Sequence, residues 1–442
     1  MKILFVSLGC DRNLVDSEYM IGQLAQSGYE LTDDETAADI IVVNTCCFIH
    51  DAKEESIQTI LQMAALKETG NLKALVVTGC LAQRYQDEIE KEIPEVDAIV
   101  GTNAIDAISE AIEQALAGND YQNYKSLTGL PDTRGIQRLI TTGGHFAYLK
   151  IAEGCNKHCS YCIIPKIRGE YRSVPMEELV DEATKLAKSG VRELILVAQE
   201  TTVYGVDLYG KKALGELLDR LNAIDELYWI RIMYCYPEEI DMELISAIKR
   251  NEKVVHYLDM PIQHISDSVL KRMGRRTTGS ELADKIELLR REIPDICLRT
   301  TVICGFPGET QENHEELMEF LNWAEFDRLG AFPYSPEEDT PAAGFADQID
   351  EETKLTWRDD IMELQQEIAY DVNEKLIGKE LYVFVEGKVA DEEAYVARTY
   401  RDAPKVDGYV FVNTDAELMS GDFVKVRITE ALEYDLIGEI VS

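Results

Sequence analysis

Apolar residues follow three different rhythms along this chain, and the rhythm changes twice. Over the first 116 residues, short unbroken apolar runs alternate with longer segments whose apolar residues recur every three or four positions. The runs are residues 2–7 (KILFVS), 39–47 (DIIVVNTCC), 73–80 (KALVVTGC) and 97–101 (DAIVG). Runs rich in Val and Ile predict strands buried on both faces, as in a parallel sheet. The periodic segments predict helices over about residues 14–27, 51–68, 82–93 and 105–116, the first stopped by Gly28.

Residues 125–144 (KSLTGLPDTRGIQRLITTGG) carry turn residues and no sustained period, and read as a linker. Strand and helix then alternate again, through 147–153, 193–202, 228–237, 256–264, 297–309 and 328–342. Six such units are too few for a closed eight-fold barrel, and predict an open one with room for a substrate. A long charged helix over 351–376 follows, and the period then switches to two. Five short alternating segments (380–387, 394–400, 408–413, 423–430 and 436–442) predict a small antiparallel barrel. The fold class is therefore α/β: an N-terminal parallel-sheet α/β domain, a central open, partial β/α barrel and a C-terminal small antiparallel β-barrel. The expected boundaries are 1–124, the linker 125–144, then 145–374 and 375–442. A chain of 442 residues exceeds one ordinary core, in keeping with several domains.

Composition narrows the setting. No run of about 18 apolar residues occurs, so no membrane span is expected. The opening MKILFVSLGC is too short and too strand-like for a signal peptide, which predicts a cytoplasmic protein. Its ten cysteines are then thiols or metal ligands, not a disulfide framework. Eighty-two acidic against 44 basic residues give a net charge of −38. Such a chain is repelled by bulk nucleic acid and suits a basic protein partner, although acidity also serves solubility alone. The C-terminal barrel repeats the balance, with eight Lys and Arg against fourteen Asp and Glu from Lys375 onward.

The cysteines carry the candidate chemistry. Cys155, Cys159 and Cys162 form a C-x3-C-x2-C loop in IAEGCNKHCSYCIIPKIRG (151–169). Zinc usually takes four ligands, and no second knuckle follows, although His158 lies within the loop as a possible fourth. A [4Fe–4S] cube held by three thiolates leaves one iron open. Cys10, Cys46 and Cys80 each come just after the end of a predicted strand, where parallel sheets form their binding crevice. Three thiols arriving there from separate units would make a second metal site. Cys47 is expected to point elsewhere. Cys235, Cys297 and Cys304 lie within strand patterns as core thiols, and His256 and His264 read as satisfied polar residues.

The loop with Tyr161 before its last cysteine resembles the radical S-adenosylmethionine (SAM) superfamily. With SLGCDRNLVDSE (7–18), NTCCFI (44–49), VTGCLAQRY (77–85), TTVICGFPGET (300–310) and YSPEEDTPA (334–342), the whole chain resembles the methylthiotransferases of that superfamily. These join a three-cysteine domain, a radical SAM barrel and a TRAM barrel. NLVDSE after Cys10 and AQETTVYGVDLYG (198–210) are similar to the branch that modifies an aspartate of ribosomal protein uS12. Asp11-Arg12 stand where that branch usually has Pro-Lys, and Cys47 where glycine is usual.

The resemblance implies two [4Fe–4S] clusters, one on Cys155, Cys159 and Cys162 with SAM on its open iron, one on Cys10, Cys46 and Cys80 carrying the sulfur. One SAM would supply a methyl group and a second the radical that removes hydrogen from an unactivated carbon. An electron donor and a sulfur donor would be needed, and no nucleic acid would be the direct substrate. Tyr161 is placed beside the adenine, Arg168 at the carboxylate of SAM, Glu200 at its amine, and Gly305 to Glu309 in a SAM-contacting loop. An acid capping its own loop is the competing reading of Glu200, and a surface salt bridge that of Arg168. Two other classes stay open. A transfer RNA methylthiotransferase would need a basic face on the C-terminal barrel, and a non-catalytic iron–sulfur carrier would leave the 300–310 loop unexplained.

Overall fold

In a computed structural model, which describes residues 1–390 and 393–441, the chain forms two compact units. The first comprises Met1–Thr141, Ala152–Val174 and Ser335–Ala343, and the second Thr142–Ile151, Pro175–Tyr334 and Gly344–Ser442.

The four N-terminal apolar runs become the strands Lys2–Ser7, Ile40–Thr45, Ala74–Gly79 and Ala98–Val100, neighbours in that order in one parallel sheet. Successive side chains of a strand face opposite ways. Ile40 and Val42 accordingly pack with Met20, Leu24, Ile108 and Ile112 on one face. Ile41 and Val43 pack with Ile60, Met63 and Leu81 on the other. Both faces are covered, so the runs need no polar residues. Two short edge strands, Glu30–Leu31 and Tyr121–Asn123, complete six strands. They lack an apolar run, being two and three residues long with polar or exposed positions, and sequence patterning does not reveal them. The helix expected over 82–93 is two helices, Cys80–Arg84 and Gln86–Glu92, because Tyr85 leaves helical geometry at φ −119° and ψ 46°.

In the second unit the strands Phe146–Lys150, Glu193–Val197, Trp229–Ile232, Val254–Asp259, Cys297–Cys304 and Arg328–Pro333 pair in chain order, all parallel. The sheet does not close, which makes it the open β/α barrel expected. Several of its helices begin at residues whose side chains take up otherwise unpaired N–H groups. Thr278 and Thr310 form capping boxes with Glu281 and Asn313. The last helix runs Glu351–Glu374, and Gln365 from it donates to the Phe326 carbonyl at 2.9 Å.

The five C-terminal strands close into a barrel around Val383, Val385, Val410, Val412, Val426 and Ile428. Four pairings are antiparallel, and the fifth, Val410–Asn413 with Leu436–Ile440, is parallel. An odd number of strands cannot alternate direction all the way round, so a closed five-stranded barrel needs such a pair. The C-terminal barrel joins the sheet through buried charges. Glu193 holds Arg231 and Arg398, each at 2.8 Å, and Arg328 meets Asp402 at 2.6 Å.

Candidate metal centre

Three adjacent parallel strands end together, and each hands over to a cysteine. Lys2–Ser7 leads through Leu8 and Gly9 to Cys10, which precedes the helix Asp11–Gln26. Ile40–Thr45 runs straight into Cys46, and Ala74–Gly79 into Cys80, the first residue of its helix. The turns are tight. Gly9 has φ +90°, and a Cβ there would lie 2.8 Å from Cys46 Cβ and 3.0 Å from its Sγ. Gly79 has φ +94°, with Asn44 Oδ1 only 2.3 Å from where a Cβ would be.

Polar side chains fix the turns. Asn13 donates to the Leu8 carbonyl at 2.6 Å and to the Thr45 carbonyl at 3.2 Å. Asn44 donates to the Asn13 carbonyl at 2.9 Å and to Ser17 at 2.8 Å. Ser56 accepts from Cys46 N–H at 2.9 Å and donates to its carbonyl at 2.8 Å. Burial first, and then neighbouring Cys80, push the Cys46 thiol up to about 12. Cys80 is raised as well, by burial and by Cys10, against the nearby charge of Arg168. The three thiols therefore sense one another. Cys47 is buried in the apolar core that also holds Leu81 and Ile163.

The second set belongs to the same unit. Ala152 pairs with Ser173 and Glu153 with Arg172, which closes the base of the three-cysteine loop. Gly154 crosses at φ +74°, where a Cβ would lie 2.2 Å from the Glu170 carbonyl oxygen. Cys155 and Cys159 are buried and Cys162 half-buried. Burial pushes Cys162 up to about 12, with Cys159 and Cys155 adding to it and Arg12 opposing. His158 is exposed in a left-handed conformation at φ 54°. Ile163 and Ile167 pack the loop into the core that also holds Cys80. The segment 335–343 braces both sets. Glu337 meets Arg84 at 3.2 Å, and the Ala342 N–H donates to the Ser160 carbonyl at 2.9 Å.

Arg168, expected at a carboxylate of SAM, lies instead against the N-terminal cysteines. Its guanidinium donates to Asp16 at 2.7 Å, Glu153 at 3.3 Å, Asn13 at 3.0 Å and Cys80 Sγ at 3.5 Å. Burial works against its charge, but Cys80, Glu153 and Asp16 outweigh that and keep it protonated. Neither Asn13 nor Asp16 was singled out from sequence. The signal in the sequence is their helical spacing: Asn13, Asp16 and Ser17 are polar residues on one face of a helix, and the structure buries that face.

Tyr161 is half-buried in the loop. The other residues expected near SAM belong to the second unit. Glu200 caps its own turn, accepting from the Thr202 N–H at 3.0 Å and from the Thr202 hydroxyl. Glu309 is buried, accepts from Phe306 N–H at 2.9 Å and lies 3.2 Å from His264. Gly305 has φ +71°, and a Cβ would meet Lys354 Cγ at 2.2 Å, so only glycine fits. Cys297 donates to the Arg401 carbonyl at 3.3 Å and Cys304 to that of Phe332 at 3.4 Å, as core thiols do. Cys235 is buried beside Thr201, and His256 pairs with Asp295 at 2.7 Å.

Among the described residues, no three His, Cys, Asp or Glu side chains close on a point that would hold a single ion. A cubane makes no such demand, because each thiolate binds a different iron. Each set offers three thiols where structural zinc takes four ligands, which suits a cubane with one open iron better than zinc.

Residues 2–101 match the uncharacterized protein family UPF0004, residues 149–321 the radical SAM superfamily and residues 377–441 the TRAM domain. The ribosomal protein uS12 methylthiotransferase RimO of Lachnoclostridium phytofermentans is 61% identical over 438 residues, 99% of each chain. This chain belongs to the RimO family of radical SAM methylthiotransferases. The RimO protein of Clostridioides difficile is 50% identical, over 100% of this chain and 99% of its own. Among solved structures, the radical SAM methyltransferase TsrM of Kitasatospora setae shares the fold. Its TM-score is 0.54 at 15% identity, over 88% of this chain and 79% of that one. Membership makes the protein an enzyme that transfers a methylthio group and uses [4Fe–4S] clusters and SAM. Among the described residues, no helix is long and apolar enough to cross a membrane.

Proposed function

We propose that this enzyme adds a methylthio group to the β-carbon of an aspartate in ribosomal protein uS12, within the cytoplasm. One observation carries the reading: two separate sets of three thiols, built on one compact unit, in a chain whose relatives bear that activity in their names. Cys155, Cys159 and Cys162 would hold the cluster that binds SAM, and Cys10, Cys46 and Cys80 the cluster that carries sulfur. Held there, a reduced cluster with SAM would supply the radical chemistry that an unactivated C–H bond requires.

The chain's own part is positioning and exclusion. Buried Cys155 and Cys159 and the antiparallel closure at Ala152 and Ser173 keep water from one side of the loop. Tyr161 serves the adenine of SAM, and Gly305 offers close backbone approach in the Gly305–Glu309 loop. Glu309 shapes that loop through the Phe306 N–H, and Glu200, which holds its own turn through the Thr202 N–H, would serve the amine of SAM. An electron donor and a sulfur donor complete the cycle.

The barrel at the C-terminus supports a basic protein substrate over RNA. Of its eight cations, Arg398 and Arg401 are buried in ion pairs with Glu193, Glu386 and Asp327. Lys375 pairs with Glu325, and Lys425 and Arg427 with Glu380. Cations already held by carboxylates are poor phosphate ligands. The test is an anaerobic assay of reconstituted enzyme with SAM, reductant, sulfide and either uS12 or transfer RNA, read by mass spectrometry. A methylthio gain on a uS12 aspartate, lost in Cys155→Ala and Cys10→Ala, supports the reading. A gain on RNA alone moves the enzyme to the other branch, and SAM cleavage without either product leaves the substrate wrong.

A further inference from the structure

Arg168 is supplied by the segment that follows Cys162, yet its side chain serves the other set of cysteines. Its place is fixed from both ends. The Arg168 N–H donates to the Ile164 carbonyl at 2.8 Å, and Thr102 donates to the neighbouring Ile167 carbonyl at 3.1 Å. At the far end the guanidinium reaches Cys80 Sγ at 3.5 Å and Asn13 Oδ1 at 3.0 Å. Asn13 in turn holds the Leu8 and Thr45 carbonyls, just before the turns that present Cys10 and Cys46. One guanidinium thus connects to all three cysteine turns, directly or through one amide. Asp16 and Glu153 orient the fork, and of these three groups it is the guanidinium that donates to Cys80 Sγ.

We propose that Arg168 is the positioning residue of the N-terminal three-cysteine centre, holding Cys80 by a hydrogen bond and raising the reduction potential of the cluster bound there. The proposal rests on Cys10, Cys46 and Cys80 being the ligands of that cluster. Hydrogen bonds to ligand sulfur and net local charge are the levers by which a protein sets such potentials. A fixed cation favours the reduced cluster, which carries one more negative charge. A merely structural ion pair would stabilise the fold without distinguishing the two redox states.

The experiment is an EPR-monitored redox titration of full-length protein carrying Cys155→Ala, Cys159→Ala and Cys162→Ala, so that only the N-terminal cluster is present. Arg168→Gln should lower the reduced-to-oxidised ratio at a fixed potential about tenfold, a fall in midpoint of about 59 mV for one electron. Asp16→Asn with Glu153→Gln keeps Arg168 and removes its counter-charges, and should move the midpoint the opposite way. Opposite shifts support the proposal. Unchanged midpoints, or shifts in one direction in both, overturn it and leave the ligand reading intact. If Arg168→Gln fails to fold, the acid variant decides alone, a rise supporting the proposal and no rise overturning it. Absence of any cluster in the triple-alanine parent would overturn the ligand reading, and the proposal with it.

Discussion

Gly79 is the residue on which the geometry of Cys80 depends, and its replacement by alanine has a calculable cost. Its backbone lies at φ 94° and ψ −156°, a region essentially reserved for glycine. Holding another residue there costs roughly 1–3 kcal/mol. The added methyl would also meet Asn44 Oδ1 at 2.3 Å, the Thr45 carbonyl oxygen at 2.6 Å and the Thr45 nitrogen at 2.8 Å. Asn44 cannot simply swing aside, since it donates to the Asn13 carbonyl and to Ser17. Thr45 is the strand partner of Gly79 and immediately precedes Cys46, so its backbone must move the Cys46 turn when it moves. Overpacking of this kind costs a further 1–3 kcal/mol or so. The total, about 2–6 kcal/mol, is a large part of a stability of roughly 5–15 kcal/mol. Gly118→Ala is the control, because Gly118 also has positive φ, +76°, but nothing lies within 4 Å of its added Cβ. Iron and acid-labile sulfide per chain, measured after anaerobic reconstitution beside a thermal melt, should show Gly118→Ala keeping both clusters. Gly79→Ala should keep the radical SAM cluster and lose the N-terminal one. Equal cluster content and equal melting temperature in the two variants would refute the reasoning.

Ser56→Ala removes both side-chain hydrogen bonds to the buried Cys46 backbone, so denaturant unfolding should show a loss of about 1–3 kcal/mol. Glu193→Gln leaves Arg231 and Arg398 buried without their shared anion, and should cost roughly 3–5 kcal/mol in the same measurement. Burial would raise the Glu193 carboxyl, but Arg398 and Arg231 hold it below the usual range; its stabilisation is complete above an unfolded value of about 4.3 and fades as pH falls through the lower folded value, so the acid limb of the stability profile should be shallower in the variant. Gly305→Ala drives a Cβ into Lys354, and calorimetry should show weaker SAM binding with both clusters retained.

The strands that carry the cysteines were legible because both faces of that sheet are covered, so Ile40 to Val43 and Leu75 to Val77 read as unbroken apolar runs. The three-cysteine loop was legible because its cysteines lie within eight residues of one another. The edge strands were not, since Glu30–Leu31 and Tyr121–Asn123 bury too little to need apolar residues. Nor was the place of Arg168. Its partners Asp16 and Cys80 lie 152 and 88 residues away in the chain, and a lone arginine carries no period that points to them. Local pattern reports which face of an element is buried. It does not report which distant element supplies the neutralising charge.

That limit bears on the argument from net charge. From composition, the C-terminal barrel has a deficit of six positive charges, and burial removes acids and bases alike. Arg398 and Arg401 lie inside, where they hold Glu193, Glu386 and Asp327, and so contribute little field to an approaching partner. Glu193 and Asp327 come from the sheet, so the barrel uses its own cations to neutralise another domain's buried acids. The exchange runs both ways, since Asp402 and Asp407 of the barrel are buried against Arg328 and Arg299, so the exterior stays acidic. Phosphates approaching that surface meet repulsion, while a basic ribosomal protein is attracted at low ionic strength. Association with uS12 should therefore slow steeply as salt rises, and substitution of exposed acids on the barrel should reduce that slope more than substitution of its lysines.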